Sequence, residues 1–194
     1  MDKISYALGL SIGNNFRSSG IKAVNSAEFM KGVNDVLSDV QPAIDYSEAG
    51  EIINRYFAEL RDGKSVLNKQ AGAEFLRINR EKAGVVELPS GLQYEVLKKG
   101  DGAKPNASDR VRCHYHGTLI NGVVFDSSVQ RGEPAVFGVS QVIPGWVEAL
   151  QRMETGARWR LFIPSGLAYG EQGAGQMIEP NSTLIFDVEL LDIV

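Results

Sequence analysis

Apolar residues return at every fourth position at the start of the chain. Ile4, Leu8, Ile12 and Phe16, with Ala7 beside them, paint one stripe along a helix that ends near Gly20. Gly9 and Gly13 flatten part of that segment, a spacing that either admits a close helix–helix approach or is simply tolerated. A second helix starts with Asn25 as cap and Glu28 three residues on, and Phe29, Val33, Val36, Leu37 and Val40 give it an apolar face before Pro42 closes the region. Asp45 followed by Glu48 opens a third. Its pattern of Ile52, Ile53, Tyr56, Phe57, Leu60, Leu67, Ala71, Phe75 and Ile78 runs on without proline, Gly63 and Gly72 weakening but not ending it. A helix from about residue 47 to about 81 is roughly 50 Å long, whereas neighbours of ~15 residues cover only ~22 Å. Its far half therefore lacks cover from them. Either it is a solvated stalk or a second chain supplies the cover, and the apolar pattern favours a homodimer.

Beyond Gly84, residues 85–89 predict a connector, and the pattern then changes period. Short runs of strand character occupy 92–97, 111–119, 135–139, 159–163 and 184–194. Gly100-Asp101-Gly102, Asn121-Gly122 and Arg131-Gly132 mark turns. Asn121-Gly122 predicts a tight hairpin, both residues tolerating positive φ, that leads into Val123-Val124-Phe125. Residues 145–153 have room for one short helix. The expected class is α+β: an N-terminal α-helical part with a long helix, then a mostly antiparallel β-sheet wrapped on a short helix.

Composition sharpens that division. Six of the seven prolines and more than half of the 21 glycines fall after residue 88. Charge does not divide the chain: residues 1–88 carry 11 basic and 12 acidic side chains and residues 89–194 carry 9 and 12. A net charge of −4 over 194 residues provides no positive field for a phosphate backbone or an acidic membrane surface, so neither nucleic acid nor membrane is expected as a partner. With 43% hydrophobic residues there is ample core, and the single Cys113 excludes an internal disulfide. No basic stretch followed by an apolar one precedes Ile4, which points to the cytoplasm, the alternative being a periplasmic or outer-membrane-associated protein whose secretion signal has been removed.

The chemistry is notable for what it lacks. There is no nucleophile with its base, no carboxylate pair, no metal cluster and no phosphate cradle. His114 and His116 share one strand face and have the alternation that a zinc pair would need, yet no further ligand accompanies them, so two solvent-side histidines and no metal are expected. Cys113 alternates with Val111 and reads as a small buried hydrophobe. Residues 170–175, rich in glycine, lack the Lys-Ser/Thr ending of a phosphate loop and read as a flexible surface loop. What remains is an aromatic and aliphatic set on separate elements: Tyr115, Phe125, Phe137, Val142, Ile143, Trp146, Tyr169, Ile178 and Phe186, with Asp126 and Arg131 among them. Each alone reads as core.

Their motifs give the set a meaning. Phe125-Asp126-Ser127-Ser128, Val142-Ile143-Pro144-Gly145-Trp146, Ala168-Tyr169-Gly170 and the run from Leu184 to Leu190 resemble, in order and spacing, the FKBP family of peptidyl-prolyl cis–trans isomerases. Asp2 to Gly9 and Leu88 to Tyr94 resemble its bacterial Mip-like subgroup. The resemblance implies a helical dimerisation domain over residues 1–88, including a long linker helix over about 47–81, and an isomerase domain over 89–194. It implies an enzyme without cofactor that turns X–Pro bonds in unfolded or partly folded protein clients. Tyr115, Phe125, Asp126 and Tyr169 would be catalytic, and Arg131, Phe137, Val142, Ile143, Trp146, Ile178 and Phe186 would bind substrate. Trp146 would floor the proline pocket, the Ile143 N–H and Tyr169 hydroxyl would hold peptide carbonyls, and Asp126 would act by orientation and charge. The resemblance also implies a macrolide inhibitor such as rapamycin as ligand, with Ala135 and Ala174 standing where well-known members have larger groups and so widening the cleft. A chaperone-like binder with incidental isomerase activity is the alternative, and a carrier of lipid or another small ligand a weaker third reading.

Overall fold

The computed structural model describes all 194 residues. It divides into two compact units, Met1–Leu60 and Arg61–Val194. In the first, α1 spans Lys3–Ser18 and α2 spans Ser26–Leu37. Asp2 caps α1 by accepting from the Ile4 N–H at 3.0 Å, and Asn25 caps α2 by accepting from Ala27 and Glu28 N–H at 3.0 and 3.2 Å. Only this half of the expected capping box forms, because Glu28 does not bond back to the Asn25 N–H. Phe16 meets Phe29 edge to face at 5.4 Å, joining the two helices. No residue of either helix is buried. A Cβ at Gly9 or Gly13 would touch nothing within 4 Å, so no helix of this chain uses that pair for a close approach.

The third helix, α3, spans Tyr46–Asn79, 34 residues, with the Asp45 carboxylate accepting from the Glu48 N–H at 2.8 Å. Its length agrees with the periodicity, but the face it buries in the second unit does not. Lys64, Ser65, Asn68, Gly72, Phe75, Leu76 and Asn79 recur at helical spacing and are half-buried or buried, while Leu67 and Ile78 are 65% and 50% exposed. This stripe is mostly polar or small. It covers itself against the sheet unit by hydrogen bonds and close approach, a cover that hydropathy does not register, so the expectation of an uncovered far half is corrected. Gly72 is required there because a Cβ would overlap the Thr183 side chain.

The second unit is a seven-stranded antiparallel sheet: β1 (Val85–Glu87), β2 (Gln93–Lys98), β3 (Arg110–Leu119), β4 (Val124–Ser127), β5 (Ala135–Gly138), β6 (Arg158–Ile163) and β7 (Leu184–Ile193). The order is β1-β2-β6-β7-β3-β4, with β5 also pairing with β3. The expected connector after Gly84 thus includes an edge strand, since Val85, Val86 and Glu87 pair with Glu95, Tyr94 and Gln93. The β3–β4 hairpin also differs from its prediction. Gly122 alone takes positive φ (84°), the Leu119 carbonyl accepts from Gly122 N–H, and Asn121 caps the turn through Val123 N–H at 3.1 Å. A three-residue turn with a left-handed glycine leaves Asn121 in ordinary backbone.

Two helices complete the unit, the single turn α4 (Ser128–Arg131) and α5 (Pro144–Leu150). Along β3, Val111, Cys113 and Tyr115 are buried and Arg110 and Arg112 exposed, the period-two pattern of a half-buried strand. The inward positions join Leu150, Met153, Leu161, Ile163, Leu184, Val188 and Leu190 in one core. Burial there pushes the Cys113 thiol up to about 12, so the cysteine is packing and not a nucleophile.

Candidate active site

The cleft grows out of the turn that starts α5. Pro144 occupies the first helical turn, and Ile143 before it is extended (φ −59°, ψ 148°), as a residue preceding proline must be. Gly145 follows because a Cβ there would lie 2.6 Å from Ile163 Cγ2. That close approach sets Trp146, 4% exposed, on the core face beneath an open cleft. Tyr115, Phe137 and Phe186 stand edge-on around its ring at 5.5, 5.6 and 5.3 Å, and Phe125 meets Phe186 edge-on at 5.3 Å. Gly117 makes room for that last pair, since a Cβ would sit 2.7 Å from Phe125 and 2.8 Å from Phe186.

The cleft has a volume of about 720 Å³. Tyr115, Phe125, Asp126, Phe137, Val142, Ile143, Trp146, Tyr169, Ile178 and Phe186 all line it, so the structure brings ten of the eleven candidate residues together. The eleventh, Arg131, stands beside the lining and reaches it through Asp126 and Tyr115. Ala174 lines the cleft, but Ala135 does not: it pairs with Cys113 across β5 and β3 and packs against the core. A widening of the cleft at Ala135 is therefore not what the structure shows. Gln141, Gly175, Gln176 and Met177 complete the lining. Nothing in their residue types marks them; only the position of residues 170–175 beside Tyr169 and Ile178 would have drawn attention to this rim. Nor is that segment a plain surface loop. Ala174 and Ile178 exchange backbone hydrogen bonds at 2.8 and 3.1 Å, and Gly173 (φ 67°) packs so tightly on the Ile178 carbonyl that a side chain would overlap it.

Asp126 is the one ionisable carboxylate in the cleft. Its Oδ2 accepts from Tyr115 Oη at 2.6 Å, its Oδ1 from Arg131, and Arg131 donates again to Tyr115 Oη at 2.8 Å. Partial burial alone would raise the Asp126 carboxyl, but the bonds from Tyr115 and Arg131 and the guanidinium charge outweigh it and hold the group below its ordinary value. Burial, helped by the bond to Asp126, pushes Tyr115 up. The triad is thus a fixed dipole of one anion, one cation and a neutral phenol, with no group poised to exchange a proton near neutrality. The Ile143 N–H and the Tyr169 hydroxyl make no hydrogen bond within the chain. Both are therefore free at a mostly apolar cleft, and the buried Trp146 Nε1 at its floor has no partner either. His114 and His116 lie outside it and bond Ser128 at 3.1 Å and Ser127 at 2.9 Å, and no group of three potential metal ligands exists.

This architecture has relatives. A family model described as FKBP-type peptidyl-prolyl cis-trans isomerase matches residues 101–191, and one described as the domain amino terminal to that isomerase matches residues 1–96. The FKBP-type 22 kDa peptidyl-prolyl cis-trans isomerase of Escherichia coli is 44% identical over 98% of this chain and 94% of its own length. The chain belongs to the FKBP-type peptidyl-prolyl cis-trans isomerase family. A protein of Legionella longbeachae named outer membrane protein MIP is 43% identical over 99% of the chain and 85% of its own length. The crystal structure of FkpA from Escherichia coli superposes with a TM-score of 0.75 at 36% identity, covering 98% of this FKBP-type chain and 95% of that one. The α+β class is that of the family.

Proposed function

We propose that the cleft isomerises X–Pro bonds by taking the amide out of water and holding its neighbours by hydrogen bonds, without a covalent intermediate. Rotation about the bond breaks amide resonance at a barrier near 20 kcal/mol, which makes the uncatalysed event take tens of seconds or longer. The planar amide is the more polar state, so an apolar surround favours the twisted one. A ten-thousandfold gain needs roughly 5.5 kcal/mol, within reach of desolvation plus one or two preorganised hydrogen bonds. Trp146 and its three edge-on rings floor the proline site, the Ile143 N–H and Tyr169 hydroxyl take the flanking carbonyls, and Asp126 sets the field at the twisting carbonyl. The observation that carries this reading is the apolar cleft whose only carboxylate is locked between Tyr115 and Arg131. A cleft of this size also suits a macrolide of the rapamycin type. A protease-coupled isomerisation assay on a short proline peptide, with rapamycin as competitor, tests both statements. Turnover suppressed by the macrolide is expected, and a rate equal to background would overturn the reading.

The uncovered apolar side chains of residues 1–60 favour a homodimer through the N-terminal helices, with residues 1–88 serving association and 89–194 catalysis. Ile4, Leu8, Ile12, Val36, Leu37, Ile52, Ile53 and Phe57 are all exposed within the single chain, the concentration of apolar side chains that marks an association surface. The same surface supports the chaperone-like alternative if the protein proves monomeric. For location, the name of the Legionella relative favours the cell envelope over the cytoplasm, although no helix here is long and apolar enough to cross a membrane. Cell fractionation distinguishes the two.

A further inference from the structure

The polar stripe of α3 ends on the chain segment that holds up one rim of the cleft. Lys64 Nζ lies 2.6 Å from Glu179 Oε1, and Asn68 Nδ2 donates to the Pro180 carbonyl at 3.0 Å and, more weakly, to Glu179 Oε2 at 3.4 Å. Asn181 Nδ2 donates to Ser65 Oγ at 2.7 Å, and the Asn181 N–H donates to the Gly170 carbonyl at 2.8 Å, closing the base of the segment that runs from Tyr169 to Ile178. Asn181 sits in the left-handed region (φ 58°) and is buried, a conformation kept by its bonds on both sides. The rim beyond this base supplies Tyr169, Ala174, Gly175, Gln176, Met177 and Ile178 to the cleft.

We propose that Ser65 and Asn68 of α3 are positioning residues for the cleft: by clamping 179–181 they fix where Ile178 and the Ala174 turn meet the substrate. Neither touches the cleft, and both act through the segment they hold. Tyr115, Asp126 and Arg131 bond one another and share no hydrogen bond with the clamp, so loosening the clamp should weaken substrate capture more than it slows the bound substrate. The bonds are short-range and hydrogen-bonded rather than purely charged. Lys64 and Glu179 are both more than a third exposed, and their contribution is screened.

The kinetic part rests on the isomerase reading, so the test carries an arm that does not. In the full-length protein, Asn68→Asp is isosteric but loses the donor, Ser65→Ala loses the hydroxyl and Ser65→Thr keeps it. Glu74→Gln, which breaks only the exposed Glu74–Arg77 pair on the same helix, is the control. Amide hydrogen exchange is read at Ala174, Ile178 and Asn181, whose N–H groups are bonded within the rim, and at 126–131 for comparison. Asn68→Asp and Ser65→Ala should accelerate exchange at the three rim amides by about tenfold and leave 126–131 unchanged, while Ser65→Thr and Glu74→Gln stay at the wild-type rate. On a short proline peptide KM should rise about fivefold with kcat within about twofold. Wild-type exchange at the rim in both Asn68→Asp and Ser65→Ala overturns the clamp, whatever the turnover. A wild-type protein without turnover would instead overturn the isomerase reading and leave the exchange arm to decide the clamp.

Discussion

Residues 1–60 and 61–194 are both rich in apolar side chains and place them in opposite ways. In the second unit Leu92, Val111, Leu150, Leu161, Ile163, Leu184, Val188 and Leu190 have no exposed surface at all. In the first, no residue of α1 or α2 is fully buried, and Tyr6, Leu8, Val36 and Leu37 are each more than half exposed. At about 25 cal/mol per Å² of apolar area, such residues contribute to stability only when something covers them. The sheet unit carries its own cover and can shape a cleft with it. The helical unit leaves that area open within the chain, and in the homodimer proposed above each copy would cover the other.

Leu8→Asp with Ile12→Asp should weaken self-association at least a hundredfold by sedimentation, from a dimer of 21.1 kDa chains to monomers, while turnover of a short peptide stays within about twofold. A wild-type protein that already sediments as a monomer at micromolar concentration removes the dimer. On the sheet side, Gly117→Ala should push the Phe125 and Phe186 rings apart and lower turnover about tenfold, ~1.4 kcal/mol at the transition state, with sedimentation unchanged. Tyr169→Phe removes the hydroxyl proposed to hold a substrate carbonyl and should lower kcat/KM about fivefold; an unchanged value would exclude that hydroxyl from the mechanism.

The smallest effect concerns pH. The Asp126 carboxyl is depressed, so its contribution is present above the ordinary carboxylate value of about 3.9 and is lost only as pH falls through the lower, folded one. Tyr115 is raised, so its neutral form persists through the ordinary tyrosine value near 10 and its contribution is lost above that. Turnover should therefore vary by less than about twofold between about pH 5 and 9. A bell centred near neutrality would mean that a proton is transferred.

How much of this was legible in the sequence depended on whether the deciding interactions were apolar and local. The strands from β2 to β7 follow from short runs of strand character between turn residues, the helix after Pro144 from the span left between two of them, and the α3 length from unbroken periodicity. The α3 face in the second unit was not legible, because Ser65, Asn68 and Gly72 are read as solvent residues until Asn181, Pro180 and Thr183 come round to meet them from more than a hundred positions away. The cleft followed from motif resemblance for eleven of its residues, Ala174 included, whereas Gln141, Gly175, Gln176 and Met177 were invisible because nothing in their types distinguishes a rim from a loop. Ala135 erred for the complementary reason: its place along β5 is set by pairing with Cys113, which points it into the core.

The measurement that tests the account most directly is isomerisation of a short X–Pro peptide by the full-length protein beside Trp146→Leu, which keeps an apolar floor but removes the ring that Tyr115, Phe137 and Phe186 surround. A wild-type rate well above the spontaneous one is expected, with a loss of about tenfold or more in the folded variant. A wild-type rate equal to the spontaneous one, or a folded Trp146→Leu as fast as the wild type, would contradict it.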